Sequence, residues 1–204
     1  MARTLSLNNL YEKKYKTFPF TGVWNDTIGK PEQVGAWLIY GAEKNGKTWF
    51  SLKMAEYISQ FEKTLYISAE EGTSKTFQDT CLRAKLDHTN KNLNVIEYES
   101  IEELNERLKK RRAPKVVFID NVTIYQDELK NGAFRKMLKD HKNKLLVFIA
   151  HEERNEPYGA TGKLIKKLSK VIVRVQGLKC FVSGRCQGGT LIIDEDKSTL
   201  YHGT

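Results

Sequence analysis

Cysteine is scarce in this chain. The three present, Cys81, Cys180 and Cys186, are odd in number and form no C-x-x-C pair. Neither a zinc site nor a disulfide framework fits, and a reducing cytoplasm is the expected setting. No apolar run approaches the roughly 20 residues of a membrane span. The stretch MARTLSLNNLYEKKYK is polar and lacks an apolar core followed by a cleavage site, so it does not read as a secretory leader. Internal repeats, low-complexity tracts and linkers are missing too. The chain has 204 residues, 40% hydrophobic and 29% charged, which suits one domain with one sizeable core. Acidic residues are in deficit: 34 Lys+Arg against 25 Asp+Glu leave +9. That excess fits a polyanionic partner such as nucleic acid, and fits a solvated lysine-rich surface equally well.

Short apolar runs alternate with helical periodicity. Strands are expected at AWLIY (36–40), TLYISA (64–69), NLNVIEY (92–98), KVVFID (115–120) and KLLVFIA (144–150). Helices are expected at 47–60, 73–86, 100–112 and 127–142, the third opened by a Ser100/Glu103 capping box. Near-continuous apolar strands in β-α-β order predict an α/β fold, a mostly parallel sheet covered on both faces. KVIVRVQ (170–176), KCFVSGR (179–185), GTLIID (189–194) and TLYH (199–202) read as short strands of a C-terminal antiparallel extension. HEERNEPYGATGK (151–163) reads as a polar loop of the kind that carries function. Residues 1–20 read as an N-terminal arm and 21–204 as the domain.

The chemistry concentrates in IYGAEKNGKTWF (39–50), which has the spacing G-x-x-x-x-G-K-[ST] between an apolar strand and an amphipathic helix. That context marks a phosphate cradle. Gly41, Ala42, Glu43, Lys44, Asn45 and Gly46 would turn backbone N–H groups toward phosphate oxygens, with Lys47 on the β- and γ-phosphates. Thr48 would ligate Mg2+, and Trp49 follows in the first helical turn. Asp120, ending the VVFID strand, is the second expected Mg2+ anchor, since ligands of open α/β sheets sit at the strands' carboxyl ends. Glu70 and Glu71 follow the second strand. Glu70 is assigned as the general base for ATP hydrolysis, with Glu71 its rival; either could instead cap the following helix.

GAEKNGKT, LYISAEEG with LRAKL behind it, VVFIDNV and LLVFIAH together resemble the RecA-like P-loop ATPase core, closest to the RadA, KaiC and DnaB branch, over roughly residues 20 to 204. The resemblance implies a RecA-like fold, a catalytic glutamate at Glu70 and a γ-phosphate sensor at His151. It implies adenine stacking by Phe77 or Arg83, and an arginine finger at Arg185 acting across a homo-oligomer interface. Ser183 replaces the lysine that accompanies such a finger. Single-stranded DNA would lie on Arg154, Tyr158, Lys163, Lys166 and Lys167. With no room for accessory domains in this length, the resemblance points to a bare-core ATPase of the phage or mobile-element recombination type. Its alternatives are a hexameric helicase motor and a KaiC-like ATP-dependent regulatory scaffold without DNA. No membrane association is expected.

Overall fold

The computed structural model describes residues 4–202. The first three residues of the expected arm and the last two of the expected domain lie outside the described residues. The arm begins as helix α1 (Leu7–Tyr11), capped by Ser6. Beyond it Phe18 and Phe20 stack at 5.2 Å between centroids and are buried in the core. Helix α2 (Gly22–Ile28) follows, a segment without clear periodicity in the sequence.

A parallel sheet forms the centre. Its strands are β1 (Gly35–Gly41), β2 (Thr64–Ser68), β3 (Leu93–Ile96), β4 (Val116–Asp120) and β5 (Leu145–Glu153). Between them run α3 (Lys47–Ser59), α4 (Lys75–Arg83), α5 (Ile101–Lys109), α6 (Gln126–Leu129) and α7 (Ala133–Asp140). The chain then makes β6 (Glu156–Pro157), α8 (Gly159–Leu168), β7 (Val171–Gln176), β8 (Lys179–Gly184), β9 (Gly189–Ile192) and α9 (Glu195–His202). Strand order is β3-β2-β4-β5-β1-β7-β8-β9, with β6 paired to β5 alone. The pairs from β3 to β7 are parallel; β8 and β9 continue the sheet antiparallel.

Alternation along each strand feeds two cores. From β1, Trp37 and Ile39 enter one with Phe50, Met54 and Phe118. Ala36, Leu38 and Tyr40 enter the other with Leu104, Phe134 and Phe148. A sheet with both faces buried needs the near-continuous apolar strands the sequence has. The expected capping box is formed: Ser100 Oγ accepts from the Glu103 N–H, and the Glu103 carboxylate accepts from Ser100 N–H.

Three expectations change. The helix expected over 127–142 is two helices, because Asn131 and Gly132 both take positive φ, 54° and 89°, and break the helical path. The polar loop expected over 151–163 is largely ordered: β5 runs on to Glu153, turns at Arg154 and Asn155 (φ 51° and 66°), and pairs with β6 before α8 begins. TLYH at 199–202 lies in α9 rather than in a strand. A four-residue apolar-rich run is too short for periodicity to separate helix from strand.

Candidate functional site

The carboxyl ends of β1, β2, β4 and β5 converge on the phosphate-loop motif. Two glycines fix the backbone there. A Cβ on Gly41 would overlap the Val175 carbonyl of neighbouring β7. Gly46 holds φ 94° as the N-cap of α3, and a Cβ there would overlap Leu178 Cδ2. The loop is bolted to the β7–β8 turn. Gly177 N–H donates to Asn45 Oδ1 at 2.7 Å, and Leu178 N–H donates to the Asn45 carbonyl at 3.3 Å. Behind the turn, Ile193 N–H donates to the Leu178 carbonyl at 2.8 Å. Ala42, Glu43 and Lys44 are exposed.

Lys47 is 9% exposed, and its ammonium donates to the Ala42 carbonyl at 2.8 Å. Burial pulls its pKa below the usual lysine value, against the attraction of Asp120, Glu70, Glu43 and Glu152. A cation so placed, with its loop carbonyl as partner, can exchange that carbonyl for a phosphate oxygen. Thr48 is half-buried beside it, and its carbonyl accepts from Ser51 Oγ at 2.9 Å.

Asp120 stands at the end of β4, as the sequence predicts, but not as a free carboxylate. Tyr66, in the middle of β2, donates its hydroxyl to Asp120 Oδ2 at 2.9 Å, and the same hydroxyl meets Ser51 Oγ at 2.8 Å. Burial pushes the Asp120 carboxyl up to about 7, with the Tyr66 hydrogen bond pulling the other way and Glu70 adding to the rise. Near neutral pH it is divided between acid and carboxylate. Among the described residues no group of three or more His, Cys, Asp and Glu side chains could hold a metal ion alone. Thr48 and Asp120 fit Mg2+ only as partners to a nucleotide's phosphates, the usual way this ion is held.

Glu70 accepts from Asn121 Nδ2 at 2.8 Å, and His151 Nε2 is 3.5 Å from the same carboxylate oxygen. The structure thus brings Glu70 and His151 together, and adds Asn121, a residue sequence reasoning passed over. Glu71 is partly buried with one carboxylate oxygen unpartnered, and burial followed by the Glu70 charge raises its pKa. The Lys53 and Lys197 ammonium groups both lie over the Trp49 ring, 5.5 and 5.7 Å from its centroid. Phe77 is 4% exposed and packs at 5.9 Å from the Tyr66 ring, so its ring serves the core; Arg83 is exposed at the end of α4.

The residues expected on DNA fall on the β5–β6 turn and α8. Arg154, Tyr158, Lys163 and Lys167 are exposed, whereas Lys166 is held by Glu156 at 2.8 Å. Glu152, in the same segment, is spent on Arg174, which grips it at 2.8 and 2.7 Å and also reaches Asn155. Arg185 is exposed in the β8–β9 turn, and its N–H donates to the Lys170 carbonyl at 2.6 Å. Among the described residues no helix is long and apolar enough to cross a membrane.

The family model that matches is iSTAND, inactive STAND, over residues 19–168, and the chain belongs to that family. No curated protein matches the chain. The family corrects two expectations. The resemblance to the RadA, KaiC and DnaB branch, and with it the phage or mobile-element recombination type, gives way to a degenerate STAND NTPase-like domain. ATP hydrolysis is overturned as well, since the family is an inactive one. Its loss removes the catalytic roles expected of Glu70, Lys47, His151 and Arg185. The physical reason is common to both corrections. A phosphate-loop spacing followed by a strand ending in aspartate is common to many families; it identifies neither a branch nor a turnover step.

Proposed function

We propose that this member of the iSTAND family is a nucleotide-holding scaffold: it takes ATP, with Mg2+, on residues 41–48 and keeps it without turning it over. The observation that carries this reading is the anchored loop, with buried Lys47 donating to the Ala42 carbonyl and Asn45 tied twice to the β7–β8 turn. A phosphate arriving at Lys47 displaces the carbonyl, and the loop moves with the turn that holds it. Occupancy is then transmitted to β7, β8 and α9 without bond cleavage. The Glu70 oxygen held by Asn121 and the protonated fraction of Asp120 both disfavour activation of a water.

This reading keeps the ATP-dependent scaffold of the third alternative raised by the sequence, but neither its KaiC likeness nor its exclusion of nucleic acid. A strand-binding role for residues 151–167 has less support, because Glu152, Glu153 and Glu156 share that segment with Arg154, Lys163, Lys166 and Lys167, and Glu156 already holds Lys166. The test is equilibrium binding of a fluorescent ATP analogue with Mg2+, alongside phosphate release. Wild type is expected to bind and release no phosphate above the blank, and Lys47→Ala to lose binding by 100-fold or more (about 3 kcal/mol for a charge-assisted contact to phosphate). Failure of wild type to bind ATP at any Mg2+ concentration refutes the reading.

A further inference from the structure

The opposite end of the sheet carries its own charge pattern. In the parallel register Thr64 pairs with Val116 and Val116 with Leu145. The residues just before them are Lys63, Lys115 and Lys144. Lys115 N–H donates to the Lys63 carbonyl at 2.9 Å, and Leu145 N–H to the Lys115 carbonyl at 3.0 Å. Three lysines therefore stand on adjacent strands at about 4.8 Å spacing. Lys144 is buried and turned onto the Pro114 carbonyl at 2.8 Å, while Lys63 and Lys115 are exposed. Burial and the Lys115 charge both lower the Lys144 pKa, as expected where like charges are crowded.

Beside this row lies a cleft of about 420 Å³. Register fixes its floor: Asn94 pairs with Leu65 and Ile96 with Ile67, so Leu65, Asn94 and Ile96 share one face of the sheet. Its walls come from the last turn of α5 and the segment 110–114. The stretch LKKRRAPK (108–115) contains five cations and no acid. Four basic side chains line the cleft: Lys63, Arg107, Lys110 and Arg112. Arg107 is neutralised by Glu99, which it grips through Nε and a terminal nitrogen at 2.7–3.0 Å. Lys63, Lys110 and Arg112 form no ion pair among the described residues.

We infer that this cleft and its lysine row are a binding site for single-stranded nucleic acid, away from the phosphate loop and independent of the nucleotide held there. The unpaired cations supply sequence-neutral phosphate contacts. The cleft's apolar floor and Asn94 suit a base turned out of its stack, with one polar group for its edge. A duplex keeps its bases stacked and offers nothing to fill such a cleft. The site draws on the net charge of +9 through three cations that no carboxylate pairs among the described residues.

The experiment is fluorescence anisotropy of the full chain with a labelled oligothymidylate from 50 to 200 mM KCl, without nucleotide. Wild type is expected to bind with a strongly negative salt slope. Replacing Lys63, Lys110 and Arg112 together by Ala removes three phosphate contacts at about −0.7 each, so the log–log slope flattens by about 2. The part of the wild-type salt loss that disappears is then about 20-fold over this range. Replacing Arg154, Lys163 and Lys167 by Ala changes net charge equally and is expected to leave the slope in place. Both variants are checked for an unchanged thermal transition. Equal weakening by the two triple variants overturns the site, because charge alone is then responsible. Absence of wild-type binding at 50 mM KCl, or preference for an acidic peptide over the oligonucleotide, also overturns it. Duplex bound as tightly as single strand refutes the single-strand assignment.

Discussion

Asp120→Asn is expected to stabilise the protein, in a way that grows with pH. Burial raises the Asp120 carboxyl from 3.8 to about 7, so the folded chain holds a proton that the unfolded chain gives up three pH units earlier. For a carboxyl raised on folding, the favourable contribution is complete below the unfolded value near 3.8 and is lost as pH climbs through 7. At about 1.36 kcal/mol per pH unit, the loss by pH 8 is about 4 kcal/mol. Asparagine keeps an oxygen for the Tyr66 hydroxyl, which donates to Asp120 at 2.9 Å, and carries no charge to bury. The attraction of Lys47 is already counted in the carboxyl's value, since that charge acts to lower it. Urea unfolding followed by tryptophan fluorescence, at pH 4, 6 and 8, measures the difference between variant and wild type. It is expected near zero at pH 4, about 2–3 kcal/mol at pH 6 and about 4 kcal/mol at pH 8. A difference independent of pH refutes the reasoning, because the stabilisation would then owe nothing to a carboxyl proton.

Two further substitutions probe the same end of the sheet. Tyr66→Phe removes the hydroxyl joining Ser51 to Asp120 and is expected to cost about 1–3 kcal/mol by urea unfolding. It also raises the Asp120 carboxyl further, since that hydrogen bond pulls it down, which moves the pH midpoint of ATP–Mg2+ binding upward. Gly41→Ala forces a Cβ against the Val175 carbonyl and parts β1 from β7. An over-packing cost of about 1–3 kcal/mol is expected, with ATP affinity falling alongside.

Much of the fold was legible because the signals were long and redundant. The strands at 36–40, 64–69, 115–120 and 144–150 are apolar on both faces, and a parallel sheet is what such runs build. The helix from 47 and the capping box at 100 carried their own punctuation. What failed was short or depended on tertiary context. Asn131 and Gly132 sit inside a stretch that is otherwise helical in pattern, and a single Asn-Gly pair was outweighed by periodicity. Residues 151–163 look like a loop because their ladder hydrogen bonds come from β6, two residues long.

The site was legible in place and not in state. Gly41 to Thr48, Asp120, Glu70 and His151 meet at one end of the sheet, as their spacing and strand-end positions imply. Tyr66 was missed, although alternation in TLYIS puts Thr64, Tyr66 and Ser68 on one face of a fully buried strand. A buried tyrosine needs a partner for its hydroxyl, and the nearest polar residue across the β2–β4 register was the signal. The bond from Asn45 to the β7–β8 turn had no signal of this kind, since it joins residues 132 positions apart.

The two ends of one parallel sheet explain how a chain can give up turnover and still keep charged surfaces at both. In a parallel sheet every strand presents its first residue at one end and its last at the other. Acids at the carboxyl ends of some strands and lysines just before the first residues of others therefore sort into two opposed rims. Asp120, Glu70 and Glu152 gather at the carboxyl end around Lys47; Lys63, Lys115 and Lys144 gather at the amino end. An antiparallel sheet with the same residues would mix the signs. Loss of hydrolysis alters demands on a few groups at the carboxyl rim, chiefly a free base and an ionised Asp120. It places no demand on the amino rim, whose lysines are set by strand register alone.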